Sequence, residues 1–207
     1  MGVVMKSLTC ERDLVRFQKL AGDLIGVSFP IEFLKASRVR ALCDEHNKLL
    51  GGYVLAPSEN SRVIKSLPDE ILSSNHILVH EREDIFEFTG LWLSPEIRDC
   101  QSCLPFWLTL YQDVITSGKK YFIYAYSAHK QRLGALYSVV KHSSIFTGET
   151  KLLPGMSCVE RECIELGSVA KMIVAPVAKP MFLPKRFFSK LIKLLDFCRN
   201  DRSHYLK

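Results

Sequence analysis

The stretch Ile85–Ser94, IFEFTGLWLS, with the turn Pro95-Glu96-Ile97-Arg98-Asp99 behind it, decides how this chain is read. Its aromatic residues Phe86, Phe88 and Trp92 fit a pleated, half-buried surface, so the stretch reads as a long strand with Gly90 in its middle. Alternation puts Glu87 on the face opposite Phe86 and Phe88. Leu104–Ser117, LPFWLTLYQDVITS, follows as a helix, with Pro105 expected in its first turn, where proline is tolerated, and Gly118 at its C-terminal end. Lys120–Ser127, KYFIYAYS, is so rich in β-formers that it reads as a central strand.

Upstream, Leu14, Phe17, Leu20, Ala21 and Leu24 recur three and four apart, which predicts an amphipathic helix over residues 11–25. Phe29-Pro30 breaks it, and Ile31–Ser37 makes a shorter helical turn. Arg38–Glu45 and Leu49–Ala56 read as two strands joined by His46-Asn47-Lys48. Gly51-Gly52 inside the second signals a bulge or a close backbone approach. A variable stretch with Arg62 and Leu67-Pro68 leads to a short helix near Asp69–Leu72. Downstream, Lys130–Val140 is helical, Ser143–Thr147 and Val159–Leu166 are strand candidates, and Val169–Val174 is a further one. Pro184–Asn200 is a last helix, with Phe187, Phe188, Leu191, Leu194, Leu195 and Cys198 on one side.

The bulk numbers bound the class. The 207 residues suffice for one well-buried core, and 47% apolar against 24% charged residues is globular composition. No apolar run approaches the roughly 18–20 residues that span a bilayer. The N-terminus turns charged too early for a secretory signal, and Lys6 stands where myristoylation after Gly2 wants Ser or Thr. Seven cysteines, an odd number, fit a reducing compartment, so the cytosol is the expected location. The formal charge of +6 is concentrated from Lys179 onward. There Lys185, Arg186, Lys190, Lys193, Arg199, Arg202 and Lys207 join it against only Asp196 and Asp201, which leaves residues 1–178 neutral. Two units are therefore expected, a domain over 1–178 and a basic helical extension over 179–207. With charge confined to the tail and no helix-turn-helix, zinc-finger or RNA-binding signature, nucleic acid is not an expected partner.

Taken together the elements run helix, helix, strand, strand, long strand, turn, helix, strand, helix, strand, strand. That order resembles the GNAT (acyl-CoA N-acyltransferase) superfamily over about residues 10–170. Leu91-Trp92-Leu93-Ser94-Pro95-Glu96 is similar to the end of that family's fourth strand, and Arg132-Leu133-Gly134-Ala135-Leu136-Tyr137 to the helix after its fifth. The resemblance implies an α/β (α+β) fold, a mixed and mostly antiparallel sheet of six to seven strands flanked by helices. It also implies that strands four and five splay, so that the pantetheine arm of an acyl thioester lies between them. Free N–H and C=O groups on splayed strands would then be satisfied by the pantetheine amides, since buried unpaired groups are costly.

What the resemblance implies for the site follows residue by residue. Glu87 takes the place of a general base, acting directly or through water, and Tyr137 that of the acid that protonates the departing thiolate. Leu91, Trp92 and Leu93 become the pantetheine-contacting strand. Arg98 with Gln101, Ser102 and Cys103 occupy the phosphate-binding loop, where a helix start presents free N–H groups to an anion. This loop departs from the family pattern: Arg98-Asp99-Cys100-Gln101-Ser102-Cys103 keeps the arginine but has no glycine, and Asp99 repels a diphosphate. The donor is acyl-CoA or acyl carrier protein, and no metal is expected.

Each assignment has a plainer counterpart. Glu87 also reads as one polar position on an alternating strand, and Tyr137 as a core-capping tyrosine. Cys100, Cys103, Cys158 and Cys163 could offer thiolates to zinc, but lack knuckle geometry and read first as small core residues. Gly51-Gly52, Arg62, Leu67-Pro68 and Phe86-Glu87 echo acyl-homoserine-lactone synthases, which share the GNAT-like core, lack its glycine loop and take acyl groups from acyl carrier protein. The basic C-terminal helix could dock an acidic protein of that kind or an anionic membrane surface. A GNAT-shaped interaction or regulatory module without catalysis is the remaining reading.

Overall fold

The computed structural model describes residues 2–26, 28–97, 100–129, 143–156, 159 and 161–178, the side chains of Cys100 and of residues 175–178 excepted. Seven strands form one sheet: β1 (Val3–Leu8), β2 (Arg38–Asp44), β3 (Leu49–Pro57), β4 (Ile85–Leu93), β5 (Tyr121–Ser127), β6 (Ser143–Glu149) and β7 (Arg161–Ser168). Their order is β1-β2-β3-β4-β5-β7-β6. Every neighbouring pair is antiparallel except β4 and β5, so the sheet is mixed and mostly antiparallel, as the sequence led us to expect.

Helices cover both faces. On one, α1 (Glu11–Ile25) and α2 (Ile31–Lys35) set Leu14, Phe17, Ala21, Phe33 and Leu34 against Val54, Ala56 and Trp92. Leu24, placed on the buried face of α1 by its spacing, is exposed in the last turn of that helix. Further along the same face, α3 (Arg62–Ser66), α4 (Asp69–Ser74) and α5 (His76–His80) cover Ile85, Ile123, Ile164 and Leu166 through Val63, Ile64, Leu67 and Leu78. On the opposite face α6 (Cys100–Ile115) presents Phe106, Leu110 and Val114, one above another at helical spacing, to Tyr53, Phe86, Phe88, Phe122 and Tyr124. An ionic cluster pins it there. Asp113 accepts from Arg40 Nε at 2.8 Å and Nη2 at 2.9 Å, from Arg38 Nη1 at 3.2 Å, and from the buried Tyr53 hydroxyl at 2.8 Å.

Four sequence expectations change. Val3–Leu8, considered only as a targeting segment, is an edge strand paired with β2. Val169–Val174 is no strand: Val169–Ala178 is a helix, α7, whose Val169 and Met172 join the cluster under α6. Helix α6 starts at Cys100, so Pro105 lies inside it, where its missing N–H leaves the Gln101 carbonyl without the usual helical partner. The short helical turn after Pro30 ends at Lys35. The expected helices Lys130–Val140 and Pro184–Asn200, and with the latter the basic extension 179–207, lie outside the described residues. Among the described residues no helix is long and apolar enough to cross a membrane.

Candidate active site

Strands β4 and β5 pair in register at Ile85↔Tyr121, Phe86↔Phe122 and Glu87↔Ile123, and no further. Beyond Glu87, among the described residues, β4 continues to Leu93 paired with β3 and β5 continues to Ser127 paired with β7. The two strands therefore diverge into a wedge whose facing backbone edges are not joined to each other. Its cause is local. Against β3, Gly52 pairs with Trp92 and Val54 with Thr89, so Gly90 and Leu91 together oppose Tyr53. This is a β-bulge with Gly90 in the left-handed region at φ 63°, the conformation a bulge glycine supplies. A bulge bends its strand, and this one lies just past the last β4–β5 rung.

The bulge also resets which residues face which way. Without it Trp92 would share a face with Phe86 and Phe88; the extra residue moves Leu91 and Leu93 to that face and turns Trp92 in against Phe17, ring centroids 6.2 Å apart. The bulge expected at Gly51-Gly52 resolves into two features. The extra residue on β3 is Leu50, while Gly52 is a close approach: a Cβ there would sit 2.4 Å from the Phe17 ring and 2.7 Å from the Arg40 carbonyl oxygen.

Of the residues assigned to donor contact, Leu91 and Leu93 are half-buried on the diverging part of β4, and Trp92 is buried with its indole N–H unpartnered among the described residues. Gln101, Ser102 and Cys103 sit in the first turn of α6, where N–H groups have no intrahelical acceptor; Gln101 is exposed and the other two half-buried. Arg98 and Tyr137 lie outside the described residues. Among the described residues no group of three or more His, Cys, Asp or Glu side chains is arranged to hold a metal.

Glu87 stands on the last paired rung before the strands part, 1% exposed, on the face covered by α3. Its Oε2 accepts from the Ser61 hydroxyl at 2.8 Å and from the Val63 N–H at 2.9 Å, while the Ser61 oxygen accepts from the Ile64 N–H at 3.1 Å. The carboxyl thus ties the start of α3 to the sheet. Burial pushes its pKa above the ordinary carboxylate value, more than the bonds from Val63, Ser61 and the Arg62 backbone bring it down.

The sequence reading passed over a second polar group. On β5, Tyr124 donates to Glu165 Oε2 at 2.5 Å and Tyr126 to Glu165 Oε1 at 2.9 Å, Glu165 standing opposite Tyr124 on β7. Both tyrosines lie on the diverging part of β5, on the face that also carries Leu91 and Leu93. Burial and the adjacent carboxylate raise the Tyr126 hydroxyl's pKa. The spacing Tyr124-x-Tyr126 was the available signal, but Glu165 joins the pair only through the β5–β7 register.

No family model matches this sequence, and no curated protein is similar enough in sequence to match it. Solved structures do. FeeM, an N-acyl amino acid synthase from uncultured soil microbes, superposes with a TM-score of 0.58 at 13% identity over 85% of this chain and 99% of that one. The AHL synthase LasI gives 0.57 at 10% identity over 84% and 94%. Arabidopsis thaliana NAA60 in complex with acetyl-CoA gives 0.54 at 14% identity over 82% and 99%. With the seven-stranded order, the single parallel pair and the wedge between its strands, these likenesses establish that the chain has the GNAT fold.

Proposed function

We propose that this protein is an acyltransferase that moves an acyl group from an acyl thioester to an amine. The observation that carries this is the wedge: β4 and β5 pair over three residues and then part, leaving two backbone edges that the amides of a pantetheine arm can satisfy as an added strand would. The likeness to NAA60 with acetyl-CoA supports acyl-CoA as donor. The likeness to FeeM and LasI, with the glycine-free run Arg98–Cys103, supports acyl carrier protein as the alternative carrier of the same thioester.

In the reaction the amine nitrogen attacks the thioester carbonyl, the new C–N bond forms and the C–S bond breaks. A proton leaves the nitrogen and one reaches the thiolate. Glu87 is the assigned base, through water because the carboxyl is buried, and its raised pKa suits that exchange. Tyr137 is the assigned acid. Leu91, Trp92 and Leu93 contact the pantetheine, and Arg98 with Gln101–Cys103 receives the phosphate end.

Binding of acetyl-CoA, longer acyl-CoAs and acyl carrier protein, by thermal shift and then calorimetry, tests this. A ligand of the native state raises its apparent stability. Binding of one donor class names the acyl carrier; a folded protein that binds none is a GNAT-shaped interaction module and not a transferase.

A further inference from the structure

A cavity of about 300 Å³, the lower end of the range for small-molecule sites, lies between α2, the start of α3 and the segment after β6. Its walls are unequal in chemistry. Pro30, Phe33 and Leu153 are apolar, whereas Asn60, Arg62 and Lys65 bring an amide and two cations. Glu32, also at the cavity, is exposed and paired with Lys35 at 3.3 Å.

Arg62 is the unusual member. Its guanidinium carbon lies 5.8 Å from the ring centroids of both Phe29 and Phe33, which are themselves stacked 5.7 Å apart. One N–H, on Nη1, donates to the Ser28 carbonyl at 3.1 Å. Among the described residues no carboxylate lies within salt-bridge distance of Arg62, and Lys65 has no ion-pair partner either. Glu87 and Glu162 act on Arg62 only through space, and burial lowers its pKa despite them. A guanidinium has five donors in a planar fork that matches a carboxylate bidentately, and the half-buried Arg62 presents that fork at the cavity wall. The same short segment serves the wedge: Ser61 and the Val63 N–H hold Glu87 on the last β4–β5 rung, while the side chain between them lines the cavity.

We infer that this cavity binds the carboxylate of the acyl acceptor on Arg62, with Lys65 and Asn60 at its edge, so that the acceptor is an amino acid with an apolar side chain against Pro30, Phe33 and Leu153. The identity of the ligand as acceptor rests on the transferase reading above; the carboxylate site itself does not.

Calorimetric titration of the full chain with phenylalanine and leucine, with phenethylamine and isopentylamine, which keep the amine and lack the carboxylate, and with inorganic phosphate separates the possibilities. The expected result is binding of the amino acids, at least tenfold weaker binding of the matched amines, and at least tenfold loss of amino-acid affinity in Arg62→Met with acetyl-CoA affinity unchanged. Arg62→Lys, which keeps the charge and loses the fork, should fall between and controls for folding. Equal affinity for amine and amino acid, preference for phosphate, or indifference to both variants overturns the site. Thiol release from an acyl donor, followed with the same acceptors, separates the two readings. Release with amines as readily as with amino acids leaves the transferase standing and removes the site. Arg62-dependent amino-acid binding without any donor binding leaves the site standing and removes the transferase.

Discussion

Replacing Gly90 by alanine tests the physical origin of the wedge. Gly90 holds φ 63°, and a left-handed backbone costs a residue with a Cβ about 1–2 kcal/mol. A Cβ there would also lie 3.2 Å from Phe29 Cε2 and Cζ and from Val54 Cγ2, tighter than ordinary van der Waals contact. Repacking three such contacts in a filled core adds roughly 1 kcal/mol. The expected loss is therefore about 2–3 kcal/mol, a factor of about 30 or more in the folded-to-unfolded ratio. Gly118 supplies the control, since it has φ 68° but nothing within 4 Å of its notional Cβ, so Gly118→Ala should show the backbone cost alone. Urea unfolding of both variants gives the difference, and acetyl-CoA titration gives its functional side, with Gly90→Ala binding at least tenfold more weakly as the bulge relaxes. A Gly90→Ala protein no less stable than Gly118→Ala, binding donor like the parent, would refute the bulge as the device that opens the sheet.

Asp113→Ala strands the Arg40 guanidinium and the buried Tyr53 hydroxyl together. We expect a loss of about 2 kcal/mol in urea unfolding, below the fully buried figure of about 3–5 kcal/mol because Arg40 is 27% and Arg38 45% exposed; a loss under about 1 kcal/mol contradicts it. Burial pushes the Asp113 carboxyl up, but the bonds from Arg40 and Tyr53 and the charges of Arg40 and Arg38 outweigh it, leaving the pKa below the ordinary value. The parent should accordingly lose this cluster's stability as pH falls from the ordinary carboxylate range toward that lower value, a loss Asp113→Ala no longer shows. Glu87 has the opposite sign. Its folded pKa is raised, so ionisation costs stability as pH rises from about 4 through the raised value. Glu87→Gln, which keeps an acceptor oxygen for Ser61 and Val63, should flatten that decline, and an unchanged pH slope would show that Glu87 is not the group responsible.

The sequence by itself determined what local pattern encodes. The three- and four-residue spacing of Leu14, Phe17 and Ala21, the β-rich run at 120–127 and the aromatic strand at 85–94 each fix an element through periods that need no neighbour. Their order was enough to read the fold. Tertiary structure decided the rest. Val3–Leu8 is a strand because β2 offers it an open edge, and Val169–Ala178 is a helix because Val169 and Met172 pack under α6. Gly90 was visible, but whether it opens a bulge depends on which β3 residues stand opposite. Glu87 was named from its strand, yet its bonds to Ser61 and Val63, like the meeting of Glu165 with Tyr124 and Tyr126 and of Arg62 with Phe29 and Phe33, join residues far apart in the chain. Such contacts are set by register and packing, which leave no local periodicity for a sequence to display.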